Sequence, residues 1–131
     1  IVRDFVLSLR GGDANRFMQL MQSLLADTPY ELVRELENHY QNVMYIVTKL
    51  MGFYVQAEYR TSRGRIDLLI GTDKYIYIIE LKFEGSAEEA MKQIQTKDYA
   101  LPFAADGREI VRIGANVSKD TRNIEQWVIE K

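Results

Sequence analysis

The chain has 131 residues, 47% of them apolar and 27% charged, the profile of one ordinary soluble globular domain able to bury roughly two-thirds of its unfolded surface. It has no cysteine and one histidine, His39, which excludes disulfides, thiolate zinc sites and multi-histidine metal centres; any metal must be held by oxygen ligands. A formal charge of −2 excludes a globally basic nucleic-acid binder, so such binding would need a local patch or a metal.

The sequence begins at Ile1 rather than Met and is expected to be a piece of a longer protein. No apolar run is long enough to span a membrane, and no signal peptide is visible. From Ile1 to about Thr28, Phe17, Leu20, Met21, Leu24 and Leu25 recur at helical spacing. Gly11-Gly12 divides this part into one or two short helices, with Asp13 placed to cap the second. The segment reads as a helical extension or linker from an upstream region, residues 1–29. Pro29 then opens a long helix to about Met51, in which Leu32, Leu36, Tyr40, Val43, Val47 and Leu50 form one stripe and Gly52 is the stop.

Strands follow. Phe53–Tyr59 is the first, Thr61–Gly64 a turn, Arg65–Ile70 the second, Gly71–Lys74 a hairpin turn, and Tyr75–Lys82 the third. Both faces of the third strand are apolar over most of its length, which places it centrally in a sheet. Ser86 and Glu89 have the spacing of a capping box, opening a helix to about Ala100, before Pro102. Glu109–Ile113 and Gln126–Ile129 read as two further strands, with a turn or short helix at Ser118–Arg122. The order gives an α/β class: a mixed sheet flanked by helices.

Charge in the strands singles out three residues. Asp67 interrupts the apolar run Ile66–Ile70, and Glu80 and Lys82 share one face where the apolar part of the third strand ends. A hairpin through Gly71–Lys74 sets Asp67 roughly opposite Lys82 or its neighbours, with paired residue numbers summing to about 145–150. Two carboxylates meeting there repel unless a cation joins them. Mg²⁺ needs only one or two carboxylates, and Lys82 would orient or activate a water and offset phosphoryl charge. The competing reading of each is structural: a solvated strand-end pair for Glu80 and Lys82, an edge charge against aggregation for Asp67.

Asp67, followed after twelve residues by Glu80-Leu81-Lys82, resembles the PD-(D/E)xK nuclease signature. With Glu58–Asp67, Ile78–Lys82, Ala87–Ile94 and Tyr99-Ala100, it is similar to a nuclease-like domain found C-terminal to AAA-ATPase-like domains in bacterial proteins. The likeness covers about Tyr30 to Lys131, residues 30–131. It implies a restriction-endonuclease-like αβββαβ core and a Mg²⁺- or Mn²⁺-dependent phosphodiester hydrolase, acting on nucleic acid, DNA first, in the cytoplasm. The other reading is a catalytically silent nucleic-acid-binding, regulatory or interaction module attached to an ATPase-like domain.

The resemblance implies Asp67 and Glu80 as metal ligands, helped by the Leu81 carbonyl, and Lys82 as the catalytic lysine. Glu37, in Glu37-Asn-His-Tyr40, matches the acid on the first helix, and Gln93 a glutamine near the site. Ile66 stands where the signature has proline. Each of Glu37 and Gln93 also fits an ordinary helix surface. Arg60, Arg63 and Arg65 flank the glycine turn, and Lys92 and Lys97 lie on the following helix; all five are candidate nucleic-acid contacts or plain solubilising charges. Glu58 either reaches the same site or pairs with a nearby arginine, the structural role first; His39 is read as a surface residue, and Tyr99 as packing.

Overall fold

The structure, a computed structural model, describes residues 1–29 and 40–131. The expected start of the long helix, with Glu37 and His39, lies outside the described residues. In chain order the elements are α1 (Val2–Arg10), α2 (Ala14–Ala26), α3 (Tyr40–Leu50), β1 (Tyr54–Thr61), β2 (Gly64–Gly71), β3 (Tyr75–Phe83), α4 (Ala87–Thr96), a 3₁₀ turn (Leu101–Phe103), β4 (Glu109–Ser118) and β5 (Asn123–Glu130). No described helix is long and apolar enough to cross a membrane.

The five strands form one sheet in the order β1-β2-β3-β4-β5. β3 pairs with β4 in parallel, joined by the α4 crossover, and the other neighbours are antiparallel. β3 is central, and Ile76 to Ile79 are all buried, as a strand covered on both faces requires. One face is covered by α1, α2 and α3, whose Phe5, Phe17, Met21 and Met44 pack in one core with Leu68, Ile70, Tyr77, Ile79 and Ile113. The other face carries α4, with Met91 and Ile94 against Ile66, Leu69, Ile76 and Ile78.

Local chemistry explains the element starts. The Asp13 side chain accepts from the Arg16 N–H at 3.0 Å and caps α2. At α4 the capping box is complete: Ser86 Oγ accepts from the Glu89 N–H at 3.0 Å, and Glu89 Oε1 accepts from the Ser86 N–H at 3.1 Å. The α1–α2 pair is tied to the sheet by the Tyr77 hydroxyl, which donates to the Leu9 carbonyl.

Several expected boundaries and faces are corrected. The described helix α3 buries Tyr40, Met44 and Thr48, one residue per turn, while Leu50 is 83% exposed rather than part of the apolar stripe. The helix after Ser86 ends at Thr96, not near Ala100, because Asp98 adopts a left-handed φ of 49° and turns the chain. β4 and β5 are both longer than their apolar stretches, since pairing carries them through Gly114, Asn116 and Asn123.

The largest surprise lies in the β1–β2 hairpin. Simple alternation puts Ile66, Leu68 and Ile70 on one face. Instead Leu68 and Ile70 face the α1–α3 core, and Ile66 faces α4. β1 changes sides at the same level: Ala57 packs on the first core and Tyr59 on the second. Between them stand Glu58, with a φ of 53°, and Asp67, the one opposed pair missing from an otherwise regular register. Both strands therefore rotate at Asp67.

Candidate metal and phosphodiester site

Three elements build the site. The β2–β3 register runs Leu68↔Ile79, Leu69↔Ile78, Ile70↔Tyr77, so its extension sets Asp67 opposite Glu80. Those residue numbers sum to 147, inside the range expected from the hairpin. The ladder itself stops at Leu68. Beyond it the Asp67 side chain takes over, with Oδ2 accepting from the Leu81 N–H at 2.8 Å. Leu81 thus meets the site through its N–H.

Glu80 and Lys82 point to the α4 side of β3. Glu80 is 3% exposed. Burial first, then the hydrogen bond and negative charge of Asp67, push its carboxyl up to about 9, against opposing pulls from Lys82 and Arg65. A carboxyl raised this far favours its protonated form beside Asp67.

α4 supplies Gln93. Its Oε1 accepts from Lys82 Nζ, and its Nε2 donates to Glu80 Oε2 at 3.2 Å and to the Tyr99 hydroxyl at 3.2 Å. This reach depends on Gly114, the β4 neighbour of Glu80. A Cβ at Gly114 would lie 2.5 Å from the Met91 backbone nitrogen and 2.8 Å from the Ala87 carbonyl oxygen. Only a glycine lets the helix come that close.

The structure thus brings Asp67, Glu80, Lys82 and Gln93 into one hydrogen-bonded group at the end of β3. Tyr99 joins them. It is 1% exposed and packs as expected, yet its hydroxyl also accepts from the Arg65 N–H at 3.3 Å. A buried tyrosine after a helix looks like core in sequence. Only the nearby Gln93 hinted that its hydroxyl had a polar partner.

The candidate cations are less concentrated. Arg65 Nη1 pairs with Glu58 Oε1 at 2.8 Å, the arginine partnership expected of Glu58. Arg60 is the cross-strand partner of Arg65, and Arg63 Nη2 reaches the Thr96 carbonyl at 3.4 Å. All three are exposed beside the turn. Lys92 and Lys97 are exposed on or next to α4, with no hydrogen bond to the acid pair.

Among the described residues, no three His, Cys, Asp or Glu side chains converge on a common point. The described donor set is then two neighbouring carboxylates, Asp67 and Glu80. That fits a hard dication that keeps several waters, and does not fit an all-protein cage.

A mixed sheet between two helical layers, with an acid pair and a lysine where β2 and β3 part, defines a restriction-endonuclease-like domain. Residues 35–127 match the PD-(D/E)XK nuclease superfamily, and the chain belongs to it. Nucleases of this superfamily generally use divalent metals. The chain is also 29% identical, over 129 residues, to an uncharacterized protein in the vnfD 5′ region of Azotobacter chroococcum mcd 1. That match covers 93% of this chain and 25% of the relative, so the chain spans about a quarter of the relative's length.

Proposed function

We propose that this domain hydrolyses phosphodiester bonds in nucleic acid, DNA in the first instance, with Mg²⁺ or Mn²⁺. The observation that carries the reading is the single hydrogen-bonded group of Asp67, Glu80, Lys82 and Gln93 in a chain of this superfamily. Asp67 and Glu80 would hold the dication, joined by the Leu81 carbonyl and by Glu37. The ion supplies charge neutralisation at the phosphoryl group and lowers the barrier to attack by water.

The protein's own groups do the rest. Lys82, held by Gln93, donates a hydrogen bond to the attacking water and orients it towards phosphorus, opposite the leaving sugar oxygen. The water oxygen forms the new P–O bond and gives up a proton to solvent, the bond to the leaving oxygen breaks, and that oxygen takes up a proton from a second water. Glu80 would give up its proton on holding the ion. Arg63 and Arg65, then Arg60, Lys92 and Lys97, would meet flanking phosphates.

A second reading is a silent nucleic-acid-binding or regulatory module. In either reading the partner is an AAA-ATPase-like domain upstream in the full-length protein, residues 1–29 are the extension leading to it, and the location is the cytoplasm.

The test is incubation of the chain with plasmid, linear DNA and RNA, with and without Mn²⁺, beside Asp67→Ala and Lys82→Ala. Metal-dependent cleavage reduced about 100-fold or more in both variants supports hydrolysis. Binding without cleavage, equal in wild type and variants, transfers support to the silent module.

A further inference from the structure

Gln93 is the bridge between Lys82 and Glu80, but an amide can face either way. Its orientation is decided by what surrounds it. Lys82 is a pure donor and requires the amide oxygen. Glu80 Oε2 and the Tyr99 hydroxyl both take the amide nitrogen, at 3.2 Å each. With its oxygen held by Lys82, the Gln93 amide is anchored at its nitrogen end by the Tyr99 hydroxyl as well as by Glu80.

The same hydroxyl reaches the other strand. It accepts from the Arg65 N–H at 3.3 Å, directly after the turn that carries Arg63. The turn itself is closed by Thr61 Oγ1, which accepts from the Arg63 and Gly64 N–H groups at 3.1 Å each, and its glycine lies against the Tyr99 hydroxyl. A Cβ at Gly64 would lie 2.8 Å from the Tyr99 hydroxyl oxygen and 3.3 Å from its ring. The Arg63 guanidinium meets the Thr96 carbonyl at the end of α4, at 3.4 Å. One buried oxygen thus joins the arginine turn to the amide that holds Lys82.

We propose that Tyr99 is a positioning residue: its hydroxyl fixes the Gln93 amide and seats the Arg63–Arg65 turn, so that Lys82 is aimed at the Asp67–Glu80 pair. This deepens the phosphodiesterase reading and rests on it for its catalytic consequence alone. Tyr99 touches neither the acid pair nor Lys82 directly, so its effect passes through Gln93.

The test uses the 131-residue chain with Tyr99→Phe, which keeps the buried ring, and Gly64→Ala, which crowds the hydroxyl and leaves every charged group in place. The first measurement needs no metal and no turnover: the side-chain amide resonances of Gln93 in ¹⁵N-resolved NMR. Wild type should show a Gln93 amide protected from exchange with water, and both variants should lose at least tenfold of that protection. The second is Mn²⁺-dependent DNA cleavage, where kcat should fall about tenfold with KM within twofold, and adding Gln93→Ala to Tyr99→Phe should cost little more.

Unchanged Gln93 resonances in Tyr99→Phe overturn the proposal, as does a variant that only melts earlier with kcat intact. If wild type does not cleave, the nuclease reading falls, and the NMR result still decides whether Tyr99 positions Gln93.

Discussion

Replacing Glu80 by Gln should make the metal-free protein more stable above neutral pH. Glu80 is buried against Asp67, and its carboxyl is raised from about 4.5 to about 9. Between those values the native state keeps a proton that the unfolded chain has lost. The unfolded state binds fewer protons, so stability falls as pH rises through this window and levels off above about 9. The limiting slope is about 1.4 kcal/mol per pH unit, so raising pH from 6 to 8 costs wild type up to about 3 kcal/mol. For a chain of this size that is roughly 3–4 °C in Tm for each kcal/mol. Glu80→Gln keeps the shape and a donor for Asp67 but has no proton to lose. Thermal unfolding in EDTA, followed by circular dichroism from pH 6 to 8, should show wild type losing up to about 10 °C more than the variant. Parallel curves would mean that Glu80 is ionised and solvated in the native state, and the account of a protonated Glu80 would be wrong.

Calorimetry of Mn²⁺ binding near pH 7.5, in buffers of different ionisation enthalpy, should register release of about one proton, absent in Glu80→Gln. Thr48→Val should stabilise the fold by about 1 kcal/mol in urea denaturation, because the buried Thr48 hydroxyl has no hydrogen-bond partner among the described residues. Gly114→Ala should cost about 1–3 kcal/mol in the same assay by lifting α4 off the sheet, and should lower protection of the Gln93 amide as well. Leu50→Lys should change stability by less than about 0.5 kcal/mol, since Leu50 lies outside the core.

The β3 strand, its central place, the Asp13 cap and the Ser86–Glu89 capping box were legible because each rests on chemistry local to a few residues. So was the meeting of Asp67 with Glu80, which needs only a hairpin turn and period-two counting. What was hidden depends on distant partners. The change of sides at Asp67 leaves no mark in Ile66 and Leu68, equally apolar, and occurs opposite a Glu in a left-handed conformation rather than a glycine. Leu50 fits the helical stripe by type, yet packing chose the Tyr40–Met44–Thr48 line. The Tyr99 hydroxyl enters the site only because the turn before Arg65 and the end of α4 come together.

Asp67 has a duty separate from any reaction. Where the β2–β3 ladder gives out, its carboxylate supplies the acceptor for the Leu81 amide that a peptide carbonyl would otherwise provide. A lineage that abandoned catalysis would therefore not be free to place just any residue at this position. Drift there should run through other short oxygen-bearing side chains, Asn or Ser before Ala, so a fossil of the site would outlast its use.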